Sequence, residues 1–442
     1  MSGAAAPMGR DRESAGQEMH ALLRELYPIC RSLTGDGVRR SLEILKRHIP
    51  LDLHEVPSGT RVFDWTVPQE WNIADAYIRD GGGRRVVDFR QHNLHVVGYS
   101  VPVHARLPLQ ELRRRLHTLP DHPDWIPYRT SYYHADWGFC LSQRQLEALP
   151  DGEYEVRIDS SLGDGHLTYG EYLLPGETAD EVLISCHVCH PSLCNDNLSG
   201  IALATWLARG LRGRRSRYAY RFLFIPGTIG SLTWLARHEG ELQRIKHGLV
   251  LACAGDPGPF TYKKSRRGDA EIDRAAGHVL AHLGAPWQVR DFSPYGYDER
   301  QFCSPGFDLP VGCFMRTPHG EFPEYHTSAD GLELVTAAAL ADSLAAVWAV
   351  LEVLEGNRTY RNTSPKGEPQ LGRRGLYASL AGQADRKTGE LAMLWVLNLS
   401  DGRHSLLDVA ERARLPFGTI RAAADALRAH GLLTEVDGCC WS

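Results

Sequence analysis

The segment 185–200, SCHVCHPSLCNDNLSG, holds the densest group of side chains that could do chemistry. His187 directly follows a short buried-strand pattern, and Asp196 comes nine residues later in a loop. The carboxyl end of a strand in an α/β sheet is where ligand-binding side chains collect. An imidazole nitrogen and a carboxylate oxygen in these positions can meet at one Zn²⁺ ion. The spacing therefore predicts a zinc site that needs a third ligand.

The best candidate for the third ligand is His326, in the loop segment PEYHTSAD at 323–330. The ordinary alternative is that these residues bind no metal, because a two-residue match to metal spacing often arises by chance in a chain with 20 histidines. A histidine beside a strand is usually a hydrogen-bonded core or surface residue. Residue types alone leave both interpretations open.

The cysteines of the same segment offer a rival site. Cys186, Cys189, His190 and Cys194 could form a closed thiolate zinc site of the structural kind. Against it, alternate residues of a strand point to opposite faces, and no second cysteine pair of the same spacing follows. Buried thiols are the more ordinary interpretation.

Alternating strands and helices must position these residues. The pattern predicts strands at 182–186, 218–226 and 249–254, and helices at 199–211, 231–239 and 336–355. Strands separated by helices indicate parallel crossovers, so we expect an α/β sandwich as the main domain.

The rest of the chain changes character several times. We predict a disordered tail at 1–15, a catalytic domain formed by 16–50 and 159–357, a β-rich insert at 51–158, a linker at 358–374 and a winged helix-turn-helix domain at 375–442. In the last domain, Ser405 is the expected N-cap of the second helix.

Composition excludes several classes of protein. The 442 residues, 43% hydrophobic and 23% charged, suffice for two or three domains. A net charge of −5 offers no field for a polyanion, so nucleic acid is not an expected partner. We find no run of 18 apolar residues and no signal-peptide pattern, and so expect no membrane span and a cytoplasmic location. The ten cysteines are interpreted as thiols.

Several ordered motifs together resemble a bacterial group of zinc aminopeptidase-like proteins. They are HxCHPSLCNDNLSG, YRFLFIPGTIGS, LACAGDPG, YDERQFCSPGF and FPEYHTSAD, preceded by RSLTGDGVRRSL and EVPSGTRVFDWTVPQEWNI. The resemblance extends from about residue 18 to 436. It implies the α/β/α sandwich of the zinc exopeptidase clan, which includes leucine aminopeptidases and glutaminyl cyclases. It also implies a protease-associated-like insert and a C-terminal winged helix.

By this resemblance, His187 matches the first zinc histidine and His326 the late one. Asp196 matches the carboxylate that bridges two metals in the clan. Asp256 is a weaker match to a fourth ligand, since it falls a few residues late. The implied cofactor is Zn²⁺, one ion or two.

Two departures from the clan's pattern bear on mechanism. The clan's strand equivalent to 222–226 ends in two adjacent glutamates, whereas this chain reads FIPGTIGS at 224–231 and has no carboxylate there. Cys189 replaces the aspartate that normally follows the first zinc histidine by two positions, so the bond that orients this histidine must come from elsewhere. The position that binds the second metal in the clan therefore has fewer candidate ligands in this chain.

A general base has to be found outside the missing glutamates. Glu324, two residues before His326, is the candidate, with Glu321 and Asp298 in reserve. The alternative for each is a solvated loop carboxylate.

The segment YRTSYY at 128–133 could close over a substrate. Arg129, Tyr132 and Tyr133 are its candidate substrate-binding residues. The alternative is that this aromatic cluster forms the core of the insert.

The winged helix raises the question of DNA binding. Its third helix carries Arg421 and Arg428 but also Asp425, and residues 375–442 hold seven Lys and Arg against eight Asp and Glu, a net charge of −1. A DNA reader presents a basic face. We expect a docking or dimerisation module that makes homo-oligomers.

The sequence as a whole predicts a zinc-dependent hydrolase of the aminopeptidase-like clan. Its expected substrate is an amide bond in a peptide or an aminoacyl-conjugated small molecule. One alternative is an altered relic that uses the zinc pocket for ligand binding or acyl transfer. The other is a DNA-binding regulator.

Overall fold

The computed structural model describes residues 12–376 and 383–436, which divide into two compact units. The first unit contains the residues up to 268 together with 288–345, and the second contains 269–287 and the described residues from 346 onward.

Helices and strands follow in chain order. The N-terminal part contains α1 (Arg12–Leu26), α2 (Asp36–Lys46), β1 (Asp52–Pro57), β2 (Arg61–Val62), β3 (Trp65–Thr66), β4 (Glu70–Arg79), β5 (Arg85–Asp88), β6 (Val103–Pro108), α3 (Leu109–Leu112), β7 (Leu116–His117), β8 (Phe139–Cys140), α4 (Gln143–Glu147) and β9 (Glu153–Gly163). The central part contains β10 (His166–Leu174), β11 (Glu181–His187), α5 (Ser199–Leu211), β12 (Ala219–Ile225), α6 (Ile229–His238), β13 (Ile245–Leu251), β14 (Phe260–Lys263), α7 (Glu271–His282), β15 (Trp287–Arg290), α8 (Glu299–Phe302), β16 (Val311–Met315) and α9 (Ala337–Gly356). The C-terminal part contains β17 (Thr359–Asn362), α10 (Gln383–Leu399), β18 (Asp401–Ser405), α11 (Leu406–Ala413), α12 (Phe417–Ala429) and β19 (Leu433–Glu435).

An eight-stranded sheet is the centre of the first unit, in the order β1-β10-β12-β11-β13-β16-β14-β15. Its middle strands β12, β11, β13 and β16 are parallel, and β1, β10 and β14 pair antiparallel to their neighbours. Every residue of β11 and β12 is buried, as expected of strands covered on both faces. Their carboxyl ends meet at one edge, which is where the candidate site forms.

The insert contributes a second, antiparallel sheet in the order β5-β4-β9-β6. Its apolar residues share one buried core cluster with those of the central sheet, for example Val156 of β9 with Leu223 of β12. The structure also moves the predicted boundary of the insert at residue 51, because β1 pairs with β10 in the central sheet.

The second unit contains the winged helix. Helices α10, α11 and α12 accompany a three-stranded sheet in the order β18-β17-β19. Ser405 caps α11 in a capping box with Asp408, as predicted. Strand β17 lies within the predicted linker, so 358–374 begins as a sheet strand.

Two other predicted boundaries differ from the structure. Helix α1 begins at Arg12, inside the predicted tail 1–15, whose first eleven residues lie outside the described ones. Helix α7 belongs to the second unit, where Arg274 donates to Asp408 at 2.6 Å and Asn357 donates to Glu271 at 2.9 Å. These long-range polar contacts carry no local sequence signal, which explains why the predicted catalytic domain included α7.

Helix α9 is the one described helix that is long and apolar enough to cross a membrane. Of its most apolar 18-residue window, 67% is buried inside the protein. A core helix has the same length and composition.

Candidate metal centre

Three imidazoles meet the carboxylate of Asp196. Nε2 of His187 lies 2.8 Å from Oδ1 of Asp196, and Nε2 of His326 lies 3.0 Å from Oδ2. Nε2 of His190 is 3.8 Å from Oδ2. We call these four residues the Asp196 cluster. The side chain of His326 is 34% exposed and the other three are buried, so the cluster opens to solvent on the side of His326.

The carboxyl end of β11 and the loop before α5 bring most of the cluster together. His187 is the last residue of β11, and Asp196 lies in the turn Cys194–Leu198 that leads into α5, with non-helical backbone angles. Asp330 holds this turn, because its carboxylate accepts hydrogen bonds from the backbone N–H groups of Asn195 at 2.6 Å and Asp196 at 3.0 Å. Burial raises the pKa of Asp330 to about 8 despite these bonds.

His326 reaches the cluster from a separate loop with an unusual backbone. Its φ of 56° lies in the left-handed region, which a non-glycine residue rarely adopts. The loop is tied to the insert, since the backbone N–H of Tyr128 donates to the carbonyl of His326 at 2.8 Å. Strained backbone of this kind is common at functional sites.

The protonation states suit a metal ligand set. Burial alone would raise the pKa of Asp196, but the imidazoles of His190 and His187 and hydrogen bonds from His187 and His326 outweigh it, and the pKa lies well below its usual value. Burial lowers the pKa of the His190 imidazole well below its usual value. Asp196 is therefore ionised and His190 neutral, as metal coordination requires.

The donor atoms fit zinc. Those of His187, His190 and Asp196 lie within 4.8 Å of one another, and Nε2 of His326 is in contact with Asp196. Imidazole nitrogen and carboxylate oxygen are ligands that zinc prefers, and catalytic zinc sites use about three such ligands and keep one position open.

The structure brings together the three predicted ligands His187, Asp196 and His326. His190 is an additional donor, which the sequence interpretation considered only for the thiolate site. Its signal is its position in the same loop after β11, three residues beyond His187, where the strand-end rule applies to both.

The rival thiolate site does not form among the described residues. Sγ of Cys189 lies 3.4 Å from Nδ1 of His190 and 3.4 Å from the hydroxyl of Tyr297. The clusters of candidate metal donors contain neither Cys186 nor Cys194. Cys189 therefore contacts the Nδ1 side of the His190 ring, whereas Nε2 faces Asp196.

The orienting contact of His187 comes from Asn197. Nδ2 of Asn197 lies 3.3 Å from Nδ1 of His187 and donates to the carbonyl of Leu251 at 2.9 Å. Its Oδ1 accepts the backbone N–H of Gly200 and of Cys253. The side chain of Asn197 therefore connects the His187 ring to the end of β13.

The carboxylate of Asp256, the predicted fourth ligand, makes its hydrogen bonds outside the Asp196 cluster. Its Oδ1 accepts from Nδ2 of Asn195 at 3.0 Å and from the backbone N–H of Thr317 at 3.2 Å. Its Oδ2 accepts from the N–H of Gly258 at 2.9 Å and from the Thr317 hydroxyl. Asp256 belongs to neither group of candidate donors, and its hydrogen bonds give it a role in fixing the loops around the cluster.

A wall of tyrosines surrounds the imidazoles. The ring of Tyr297 lies 3.9 Å from the ring of His187, and Tyr325 stacks on His326 at 3.9 Å. Tyr128 presents its edge to His326 at 5.1 Å. These rings make the immediate surroundings of the imidazoles aromatic.

The three predicted substrate-binding residues lie at different depths. Tyr132 donates to or accepts from the hydroxyl of Tyr128 at 2.9 Å. Tyr133 is 47% exposed and packs against Trp65. Arg129 is exposed on the insert. Of the three, Tyr132 is connected to the cluster, through Tyr128.

The three candidate bases differ in their burial and in their hydrogen bonds. Glu324 is half-buried, and its carboxylate makes no hydrogen bond with a described residue. Glu321 pairs with Arg290 at 2.7 Å on the surface. Asp298 is fully buried, accepts from the hydroxyl of Ser231 at 2.7 Å through Oδ1, and has no partner at Oδ2. Burial, opposed by the charge of the nearby His187, raises the pKa of Asp298 to about 6.

The mixed sheet with its strand-end cluster defines an aminopeptidase-like fold. A zinc aminopeptidase from Bacillus subtilis is similar with a TM-score of 0.56 at 15% identity, over 79% of this chain and 96% of that one. A peptidase M28 precursor from Shewanella amazonensis is similar with a TM-score of 0.54 at 14% identity, over 78% and 96%. At these identities the similarity concerns the fold.

The chain belongs to the family described as a domain of unknown function, DUF4910, whose model matches residues 20–357. A winged helix-turn-helix model matches residues 358–435. A Clostridium acetobutylicum protein, provisionally named as a polysaccharide biosynthesis protein with an aminopeptidase-like domain, is 54% identical over 97% of this chain and 98% of its own. The crystal structure of a protein from the same organism, provisionally named a peptidase, has a TM-score of 0.93 at 52% identity, over 97% and 98%. The predicted family resemblance, α/β fold and winged helix are confirmed.

Proposed function

We propose that this protein is a zinc-dependent hydrolase that cleaves an amide bond. The observation that carries the proposal is the convergence of His187, His190 and His326 on Asp196 at the carboxyl edge of the sheet. The aminopeptidase-like fold supports it. Zinc bound by these residues would supply Lewis acidity toward a carbonyl oxygen and toward water.

The residues of this chain have three tasks in that reaction. Asp196 stays ionised and the His190 ring neutral, which keeps the donors ready. Tyr297 and Tyr325 cover the rings of His187 and His326 and exclude water from the apolar side. A carboxylate must then hold the proton of the attacking water and pass it to the leaving amine.

Two carboxylates compete for the proton. Glu324 precedes His326, the partly exposed member of the cluster, by two residues. Its carboxylate makes no hydrogen bond with a described residue. Asp298 has an unpartnered oxygen and a pKa of about 6, close to neutral pH, where general bases work best. The burial and free oxygen of Asp298 favour it over the residue chosen from the sequence.

We also propose that the substrate is a small molecule carrying an acyl amide rather than a long peptide. The provisional name of the Clostridium acetobutylicum relative places that protein in polysaccharide biosynthesis. The contact of Tyr128 of the insert with His326 and the half-exposed Tyr133 support a ligand covered by the insert. In this proposal Arg129, Tyr132 and Tyr133 close over the part of the substrate away from the amide.

The test combines metal content with kinetics on the full chain. Purified wild type is expected to hold zinc and to hydrolyse aminoacyl amides or N-acylated amino sugars, and His187→Ala and Asp196→Asn to lose both zinc and activity. Removing the proton acceptor should lower kcat by roughly 10²–10⁴-fold with zinc retained. Asp298→Asn and Glu324→Gln identify which residue it is, and Glu321→Gln serves as the matched surface control.

Wild-type protein without stoichiometric zinc would refute the metal centre. Full zinc with no hydrolysis of any of these amides would favour the alternative of a pocket that only binds its ligand.

A further inference from the structure

Asp196 belongs to a second group of potential metal donors. A carboxylate oxygen of Asp196, Sγ of Cys253 and a ring nitrogen of His319 lie within 4.8 Å of one another. Cys253 comes two residues after β13 and His319 four residues after β16, which are neighbouring parallel strands. The same sheet edge that forms the Asp196 cluster therefore delivers a thiol and a further imidazole. We call these three residues the thiol cluster.

Unlike Asp196, the side chains of Cys253 and His319 make no hydrogen bond with a described residue at the atoms that could bind a metal. Nε2 of His319 is buried and has no hydrogen-bond partner among the described residues. A buried ring nitrogen without a partner calls for an explanation, and an ion is one of the common ones. The thiol of Cys253, itself fully buried, makes no side-chain hydrogen bond with a described residue.

The backbone holds Cys253 in a costly conformation. Its φ is 45°, in the left-handed region that glycine and asparagine adopt more readily than other residues. Two hydrogen bonds fix it there, one from its N–H to Oδ1 of Asn197 at 3.3 Å and one from the N–H of Arg316 to its carbonyl at 2.8 Å. A cysteine kept in such a position points to a use for its thiol.

We propose that Asp196, Cys253 and His319 bind a second zinc ion, next to the one held by the Asp196 cluster. The inference rests on the proposed function, since the two centres share Asp196. Cys253 and His319 come from β13 and β16, and so replace the ligand that is missing where β12 runs into Pro226 and Gly227. Zinc takes the place of the thiol proton: the S–H bond breaks, a zinc–sulfur bond forms, and the proton goes to solvent.

The thiolate sets the metal preference of this second centre. A sulfur donor favours zinc or cobalt over magnesium, calcium and manganese, which prefer oxygen. Three protein ligands leave a fourth position open, as in a catalytic zinc site. We therefore expect a pair of ions of unequal ligand type, one with nitrogen and oxygen donors and one with a sulfur donor in addition.

The experiment is metal analysis of the full chain purified without chelator, followed by cobalt(II) replacement. Wild type should hold two zinc ions per chain, and Cys253→Ser and His319→Gln one. The cobalt form should show a thiolate-to-cobalt charge-transfer band that Cys253→Ser abolishes. Cys313→Ser is the matched control, because Cys313 is an equally buried thiol on β16 outside the cluster.

The outcomes separate the two proposals. One zinc in wild type without a thiolate band overturns the second centre and leaves the first standing. Two zinc ions that persist in both variants overturn the choice of ligands. No zinc in wild type overturns both centres. If Cys253→Ser does not fold, the stoichiometry of His319→Gln and the wild-type cobalt spectrum still decide.

Discussion

At the scale of single residues, one carboxylate organises the candidate site. Asp196 accepts from two imidazoles and is itself held at its backbone N–H by Asp330. Nδ1 of His187 faces the amide nitrogen of Asn197, which donates, whereas a carboxylate at that place would accept. Because this amide also bonds the carbonyl of Leu251 and the N–H of Cys253, it couples the position of the ring to the end of β13 and the residues that follow it.

A substitution of Asp256 distinguishes a metal ligand from a residue that only holds the surrounding loops in place. Asp256→Ala should keep its zinc at saturating metal but lose roughly 2–4 kcal/mol of unfolding free energy, because it leaves several buried donors without an acceptor. Urea unfolding and zinc analysis of the same preparation measure both quantities. Asp196→Ala is the comparison, with the opposite expected pattern of lost zinc. Loss of zinc from Asp256→Ala with unchanged stability would restore Asp256 as a ligand.

At the scale of elements, strand ends matter more than strand interiors. The parallel strands β11, β13 and β16 each deliver a donor within four residues of their carboxyl ends: His187, Cys253 and His319. The interiors of these strands are apolar and buried, with few polar exceptions. His247 on β13 is one of them, since it is 5% exposed and contacts the hydroxyl of Tyr218 at 3.2 Å.

His247 predicts a dependence of stability on pH. Burial, with the charge of Arg217, lowers its pKa to about 4, whereas an unfolded histidine titrates near 6.5. As the pH falls below about 6.5 the unfolded chain takes up the proton first, so stability is lost between about pH 6.5 and 4. Between pH 7.5 and 5 this residue should cost about 2 kcal/mol.

The measurement is urea unfolding of wild type and His247→Phe at the two pH values. The variant should lose less stability on acidification, although it keeps part of the effect because His92 and His278 also have pKa values lowered to about 4. Tyr218→Phe controls for the lost hydrogen bond. An unchanged pH slope in His247→Phe would contradict the expectation.

Local elements could be predicted from the sequence, and distant pairings could not. Helices α5 and α9 lie within one residue of the predicted 199–211 and 336–355, because the signals for periodicity and helix ends lie in neighbouring residues. Strand β1 pairs with β10 more than 100 residues away, so its residues were interpreted as part of the insert.

The same distinction applies to the site. His187, Asp196 and His326 follow from ordered motifs. His190 has a signal in its place three residues after His187, but Cys253 and His319 become donors only because β13 and β16 are neighbours and Cys253 has a left-handed backbone, and neither property can be read from spacing along the chain.

At the scale of the whole molecule, the chain combines an aminopeptidase-like unit with a winged helix in which both arginines of α12 contact carboxylates. Arg421 donates to Glu352 at 3.3 Å, and Arg428 lies 3.8 Å from Glu435. These ion pairs, with the net charge of −1 over 375–442, leave helix α12 without a basic face.

We therefore expect the full chain not to bind duplex DNA in a salt-sensitive way. Electrophoretic mobility shifts at about 50 mM and 200 mM salt test this, because phosphate contacts weaken steeply across that range. The paired variant Glu352→Gln/Glu435→Gln, which frees both arginines, shows whether engagement or net charge is responsible. A wild-type shift that disappears at the higher salt would make the winged helix a DNA-binding module.

The partial exposure of His326 has a consequence for how long an ion stays. Ligand exchange at a metal begins with the donor that water can reach, and of the four residues of the Asp196 cluster only His326 is partly exposed. The loop that carries it is fastened by backbone bonds from Tyr128 to His326 and from Ser328 to Ile126, both at 2.8 Å. We therefore expect the insert, which contributes no donor to either cluster, to set the residence time of an ion bound there.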